Sequence, residues 1–528
     1  MTAKEYQWLP HLESSLPKSA HGYVTTLYSI ALEGWRRGLN LKFINSKRNR
    51  ANTIIELSNE NKTHRFIAST GDLITNEARR ACINKDRTKE LLLKNNIPTP
   101  LGKAFNKNVT DDEIVKYASA KGFPLVIKPV AGVGGKGVIA GIESEKELQK
   151  SLKYVRHELG YHKIIVEEYF EGEDYRVFVV GDEVVAITKR IPANIIGDGV
   201  STAKELISKK NKERKQSPIL GASLIKRDQE LHDMLKRQGY DIDSIIPKGK
   251  LIFLKSKNNI SAGGDPVDIT DDISDEIKQI AVNACKAIPG LPHAGVDLMV
   301  HHENKSAVVI EINSRPSLRT HLFPMKGKAR DVPSKLIDYY FPETQSNHEC
   351  PLYFDYGPIW DQFLKNKAQE IYIPKLPKSK LETTSFIVTG KVQHVGYARW
   401  VRRRARELGI NGYVKLYKDD TEMVNIVVCA SNDQINKFKN IIMNEESKHS
   451  SVTTVKEKAF KSRIKLGFFI KNSRLDRRKQ KTFETKKTKR KKKKEIDYKK
   501  EYKKIINSTS WKITKPLRLI SRLIKGRK

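Results

Sequence analysis

Along this chain the spacing of apolar residues changes repeatedly, and each change predicts an element. Val24, Leu27, Ile30, Ala31 and Trp35 recur every three or four positions, which predicts a helix over 24–37 with one buried face. Short apolar runs at 41–44 and 65–68 read as strands, so residues 1–78 form a small α/β domain. A second helix opens at Asn84 and stops before Pro98 and Pro100. The run Leu125-Val126-Ile127 reads as a strand; Lys128-Pro129 closes it, and a loop follows with Gly132, Gly134, Gly135 and Gly137. Helical spacing over 145–159 and 275–288 alternates with strand-like runs at 164–168, 293–298 and 307–313. Beyond the Pro- and Lys-rich stretch 374–380, the pattern over 383–461 is strand, helix, strand, strand, helix, strand.

A chain of 528 residues exceeds what one hydrophobic core supports, so several domains are expected, and 38% hydrophobic residues suffice to build their cores. The boundaries predicted are 1–78, 79–345, a linker over 346–382, 383–461 and a tail over 462–528. Charge sharpens this division. The net charge is +38, but residues 461–528 hold 28 Lys and Arg against 5 Asp and Glu, a net +23. The basicity therefore belongs mainly to the tail and its partner. No window supplies the ~20 apolar residues of a membrane span, and the first fifteen residues lack a charged segment followed by an apolar run, so a cytoplasmic protein is expected. Cys82, Cys285, Cys350 and Cys429 are too scattered for a zinc or disulfide framework and read as reduced thiols.

The candidate chemistry starts at the glycine loop. Glycines let successive backbone N–H groups turn toward one anion, and Lys128 and Lys136 add positive charge. The spacing is neither GxxxxGK[ST] nor a GxGxxG that opens a helix, so the common mononucleotide and dinucleotide fingerprints do not apply. Farther on, Asp297 lies in one strand-like run and Glu311-Ile312-Asn313 ends the next. Residues i and i+2 of a strand face one way, so these three oxygen ligands can meet, and magnesium prefers such a set together with nucleotide phosphates.

In this order, over residues 80–340, the motifs resemble ATP-grasp proteins, and the string Thr188-Lys189-Arg190-Ile191-Pro192 through Gly197-Asp198-Gly199 resembles the cyanophycin synthetase and glutathione synthetase branch. The resemblance implies an ATP-grasp fold and a carboxylate–amine ligase that uses ATP and magnesium, with manganese able to replace it. It places Lys85, Lys128, Gly134, Gly135, Lys136 and Gly137 at the phosphates. Glu167, Glu168 and Phe170 fall at the adenine, and Asp174 at the ribose, with Glu173 as its substitute. Lys189 and Arg190 become the cations at the moving phosphate, Arg176 a basic substrate or phosphate contact, and Asp297, Glu311 and Asn313 the metal ligands. Lys89 and Lys94 read as a solvated helix face, and 209–218 as a solvated connector. Arg315, Arg319 and His321 suggest an anionic group on the acceptor side, although His321 reads equally well as a surface histidine.

Residues 383–461 resemble acylphosphatase, a ferredoxin-like α+β fold. Relative to that family the arginine slot holds Ala398, the asparagine slot Leu416, and a loop glycine is His394. The neighbouring Arg399 would point elsewhere, because a helix turns adjacent side chains by about 100°. Hydrolysis is expected to be lost. The overall expectation is thus an α/β and α+β multidomain chain: an ATP-grasp fold, a ferredoxin-like acylphosphatase-type domain and a basic tail.

In the tail, Leu517, Ile520 and Ile524 share a helical face amid basic residues, with Trp511 nearby, a pattern suited to an anionic membrane surface. Ser510-Trp511-Lys512-Ile513-Thr514-Lys515-Pro516-Leu517-Arg518 resembles the tails of bacterial cell-surface polysaccharide glycosyltransferases. The expected partners are therefore a small-molecule or polymer-linked carboxylate, an amine and the inner face of the plasma membrane. Nucleic acid would bind only non-specifically. An acylphosphatase-type hydrolase and a non-catalytic scaffold of polysaccharide assembly are the alternatives.

Overall fold

A computed structural model describes residues 6–46, 52–132, 136–301, 306–417, 422–445 and 447–471. The amphipathic helix expected near the C-terminus, the charge run and glycines 134 and 135 of the loop lie outside these residues. The chain divides into two compact units, one reaching Ser379 and including Ser462–Leu466, the other running over Lys380–Lys461 and continuing from Gly467. No helix among the described residues is long and apolar enough to cross a membrane.

In the first unit, the helix Thr25–Arg36 is buried along its whole length. It is accompanied by an antiparallel sheet in the order Glu370–Ile373, Asn40–Ile44, Ile54–Ser58, Thr63–Ile67, Thr70–Gly71. The edge strand comes from the segment expected to be a linker, and this corrects that expectation. Residues 346–382 contain the strand Leu352–Tyr353, the helix Tyr356–Leu364 and the strand Glu370–Ile373, and the Trp35 indole donates to the Pro374 carbonyl at 2.8 Å. A strand this short, pairing with a partner more than three hundred residues earlier, leaves no local signal.

Two further sheets build the site. One has the order Gly102–Phe105, Ile164–Glu168, Leu125–Pro129, Ile139–Ile142. Leu125, Ile127, Ile164 and Val166 turn to its buried side, against Leu148, Leu152 and Ile114 from the adjoining helices. The other has the order Asp265–Asp268, Glu183–Ile191, Glu173–Val180, His293–His301, Ser306–Asn313, antiparallel throughout. Its apolar face, with Tyr175, Val177, Ile187, Val296 and Ile312, packs on the helix Asp275–Lys286. Period-two alternation leaves the opposite face to polar residues. The segment 209–218, expected as a solvated connector, is mostly helix, Ala203–Gln216. Its Arg214 is fully buried and donates to Asp265 at 2.9 Å, while Lys210 donates to the same carboxylate at 2.5 Å.

The second unit follows the expected element order: Glu382–Lys391, helix Tyr397–Glu407, Asn411–Leu416, Met423–Ala430, helix Asn432–Asn444, Ser451–Ala459. Its sheet continues past residue 461 with Phe468–Lys471, paired parallel to Asn411–Leu416. The tail therefore does not begin at 462. Phe468 is buried, and its short apolar run was overshadowed by the flanking lysines.

Candidate active site

The polar face of the Glu173–Val180 sheet gathers the predicted metal ligands. Asp297 stands directly opposite Glu311 across two antiparallel strands, and Asn313 faces Gly295. A side chain at Gly295 would meet Pro316 Cβ at 2.6 Å and Arg176 Cδ at 3.1 Å, so the close approach of Arg176 requires glycine there. Arg176 lies opposite Asp297 on the other neighbouring strand and grips both of its oxygens, one of them at 2.9 Å. Arg190 reaches the same carboxylate at 3.2 Å and holds Asp174 through two N–H groups, one at 2.8 Å. Lys85 donates to Glu311 at 3.0 Å. Three carboxylates and three cations thus occupy one face and balance in charge.

The surroundings set the protonation of these groups. Burial alone would raise the Asp297 carboxyl, but Arg176 and Arg190 outweigh it and hold the group below its ordinary value. Burial likewise opposes charge on Arg190, and Asp297 and Asp174 reverse that. Asp174 has Arg190 as its main cationic partner, and burial raises it. His321 is buried, not at the surface. Its Nδ1 lies 2.8 Å from the Thr188 hydroxyl, and burial, with Arg176 and Arg190, pushes it down to about 3, so it is neutral. Its Nε2 has no hydrogen-bond partner. Arg319 stacks over the Tyr23 ring at 4.3 Å, and Arg315 donates to Asn52 at 2.6 Å.

Lys128 and Glu167 share the polar face of the four-stranded sheet. Lys128 lies 2.5 Å from Glu167, and Lys89 takes the second oxygen of the same carboxylate. All three side chains are buried. Lys89 is therefore not a solvated helix face, as expected above. It sits one helical turn beyond Lys85, and that i, i+4 spacing was the available signal. Burial pulls Lys128 down against the attraction of Glu167. Lys85, Lys89, Lys128 and Glu311 line one narrow cleft with Cys82, Thr88 and Thr99. Thus the helix Lys85–Lys94 connects the two sheets, capped by the Asn84 side chain at its N-terminus.

Other predicted residues fall elsewhere. Lys189 points to the opposite face from Arg190 and pairs with Glu173 there, because neighbours on a strand alternate. Glu173 is held on that face, opposite to Asp174. Asp174 itself lies beside Arg190, next to the metal candidates. Glu168 is exposed and accepts from Lys121 at 2.7 Å, and Phe170 is half-buried just beyond that strand. Gly137 has φ +76°, and a Cβ there would lie 3.0 Å from Pro129 Cγ; Lys136 beside it is exposed.

The donor set fits a hard divalent cation. A carboxylate offers about four lone-pair sites, so Asp297 can keep its contacts to Arg176 and Arg190 and still face a metal shared with Glu311 and Asn313.

In the second unit Ala398, at the arginine slot, packs into the core, and the neighbouring Arg399 is exposed. His394 occupies the glycine position with φ +61°. The Gln393 amide beside it donates to the carbonyls of Tyr417 at 3.1 Å and Met423 at 2.8 Å. Leu416 packs against the core.

Comparison with known proteins matches residues 82–212 and 256–339 to the RimK-like ATP-grasp domain and residues 384–470 to acylphosphatase. The chain is 35% identical to the cyanophycin synthetase of a Nostoc species over 273 residues, half of this chain and 30% of that protein. It is 36% identical to the glutathione biosynthesis bifunctional protein GshAB of Clostridium perfringens over 267 residues, 49% of this chain and 34% of that protein. The chain therefore spans about a third of the length of these relatives. A bifunctional glutathione synthetase from Pasteurella multocida, among solved structures, covers 56% of this chain with 41% of its own, at 29% identity and a TM-score of 0.44. The sequence matches bear out the ATP-grasp and acylphosphatase resemblances drawn from the motifs.

Proposed function

We propose that the chain is an ATP- and magnesium-dependent ligase that joins a carboxylate to an amine. The observation that carries this reading is the pairing of Asp297 with Glu311, with Asn313 two residues on, inside a ring of Lys85, Arg176 and Arg190. Similarity to cyanophycin synthetases and glutathione-forming proteins supports it. Magnesium, held by Asp297, Glu311 and Asn313, would neutralise phosphate charge and orient the transferred group.

The chain's own residues do the rest by position and charge. Lys128 and Lys85 lie at the cleft where the β- and γ-phosphates would rest. Arg176 and Arg190 share the face to which a substrate carboxylate must come, and they orient it for in-line attack on the γ-phosphorus. The carboxylate oxygen forms a bond to that phosphorus as the bond to ADP breaks. The amine then attacks the acyl carbon of the resulting acyl phosphate and expels inorganic phosphate, which takes up the proton the amine loses. No protein nucleophile is required, and His321, buried and neutral, adds no positive charge to this site.

The second unit acts as a non-hydrolytic companion in this reading. An active acylphosphatase would waste the acyl phosphate, and Ala398, Leu416 and His394 replace the groups that hydrolysis needs. The setting, synthesis of a bacterial cell-envelope polysaccharide at the inner membrane surface, rests on the string 510–518 and the +23 tail.

The test is ADP release by the purified protein with magnesium-ATP and a panel of amino acids and uronic acids. ADP formation that needs one carboxylate and one amine, and that Asp297→Ala abolishes, is the expected result. Hydrolysis of acyl phosphates with no ADP under any condition would overturn the reading.

A further inference from the structure

Among the described residues, His11, Glu33 and His348 come together away from the ATP-grasp cleft, with one ligand atom of each within 4.8 Å of the others. They arrive from distant segments. His11 is on the short helix Pro10–Glu13, Glu33 is on Thr25–Arg36, and His348 precedes the strand Leu352–Tyr353. Asp331 joins them at the start of the helix Val332–Tyr340.

Hydrogen bonds already made elsewhere decide which atoms remain. Asp331 Oδ1 accepts the Ser334 N–H at 3.1 Å, and Glu33 Oε1 accepts from Arg37 Nε and the Ser346 hydroxyl, both at 2.7 Å. This leaves Asp331 Oδ2 and Glu33 Oε2 facing the imidazoles. Asp331 Oδ2 lies 3.1 Å from His11 Nε2 and 3.0 Å from His348 Nε2, and Glu33 Oε2 lies 3.9 Å from His348 Nε2. Asp331 Oδ2 is thus within ion-pair distance of both imidazoles, but the ring orientations leave His11 Nε2, His348 Nε2 and Asp331 Oδ2 buried with no aligned hydrogen bond among them. Two imidazoles and two carboxylate oxygens converging in this way make the donor set of a divalent cation.

We propose that His11, His348 and Asp331, with Glu33 as fourth ligand, bind a zinc-class divalent cation that ties these segments together. Bonds of about 2.0–2.1 Å in a tetrahedron place ligand atoms about 3.4 Å apart, and the observed separations bracket that spacing. Two imidazoles select zinc, cobalt, nickel or copper over magnesium, so this site and the Asp297 site take different ions. The rings of His11 and His348 are stacked at 4.0 Å with 7° between their planes, and binding requires them to turn so that both Nε2 lone pairs meet one ion. The His348 side chain, 40% exposed, leaves the ion a way in. Glu33 and His11 are nearly enclosed and Arg37 anchors Glu33, so the site has a structural, cross-linking role.

The test uses the full chain stripped with a chelator and titrated with zinc or cobalt. Wild type is expected to bind one equivalent of zinc, to show the visible absorption of tetrahedral cobalt, and to melt higher with zinc but not with magnesium. His348→Gln, which changes a partly exposed residue, should weaken zinc binding by at least about tenfold. His11→Gln with His348→Gln should abolish both the cobalt spectrum and the zinc-induced shift. Glu311→Gln should leave all of these unchanged. The proposal fails if stripped wild type binds no zinc, if His348→Gln binds it as wild type does, or if Glu311→Gln removes it. A His11→Gln/His348→Gln protein that does not fold leaves the His348→Gln titration to decide.

Discussion

Asp297 and Glu311 face each other across adjacent strands, yet different cations hold them: Arg176 and Arg190 on the first, Lys85 on the second. The pair therefore balances before any nucleotide arrives, and a bound metal must share carboxylates that are already engaged. Glu311→Gln is the cleaner probe of this arrangement, because Asp297 substitutions also strand two half-buried arginines, Arg176 and Arg190. At a hundredfold excess over Kd a ligand adds about 2.7 kcal/mol to stability. Magnesium-ATP should raise the melting temperature of wild type accordingly. Glu311→Gln should lose most of that shift, and an unchanged shift in the variant would remove Glu311 from the metal site.

Arg190 and Lys189 are sequence neighbours with opposite fates. Arg190 bonds Asp174 and Asp297 on the site face, whereas Lys189 pairs with Glu173 on the other, where both are about a third exposed. Arg190→Ala should lower kcat on the order of a hundredfold or more, the usual cost of losing a positioned charge at a developing anion. Lys189→Ala should change it by less than about twofold and cost at most about 1 kcal/mol of stability. Comparable losses of kcat in the two variants would contradict this assignment.

Glu167 bonds both Lys89 and Lys128 within a buried triad. Glu167→Gln leaves two buried ammonium groups facing each other and should destabilise the protein by about 3–5 kcal/mol, read as a lower urea midpoint. Lys89→Met should cost less, since Lys128 keeps its partner. The reverse order of the two effects would show that Glu167 does not hold the triad together.

These contrasts also show what could be read from the chain itself. The placing of Asp297 beside Glu311-x-Asn313 on neighbouring strands was legible because each lies in a short local string with strand spacing. Strand alternation could already have separated Lys189 from Arg190. Lys89 was hidden because a lysine on a helix reads as solvated until the opposing sheet supplies Glu167. Arg214 was hidden in the same way, since its partner Asp265 comes fifty-one residues later, on the edge strand of another sheet. The edge strand Glu370–Ile373 shows the limit most plainly, because its place follows from Asn40–Ile44 and not from its own residues.

His293 carries a pH dependence independent of the metal ligands. It begins a central strand, is fully buried, and its Nε2 lies 3.1 Å from the Tyr340 hydroxyl. Burial pushes it down to about 3, so the folded protein leaves it neutral, whereas the unfolded chain takes up a proton near pH 6.5. A depressed value means that its contribution is complete above about pH 6.5 and is lost as pH falls toward 3. Between those limits each unit of pH removes about 1.4 kcal/mol through this one group. Carboxylates titrate over the same range, so the useful quantity is the difference between wild type and His293→Leu. Urea midpoints should show the wild type losing stability more steeply than the variant between about pH 6 and 4. Parallel curves would mean that His293 is already protonated in the folded state, and that the Tyr340 contact is a hydrogen bond donated by an imidazolium.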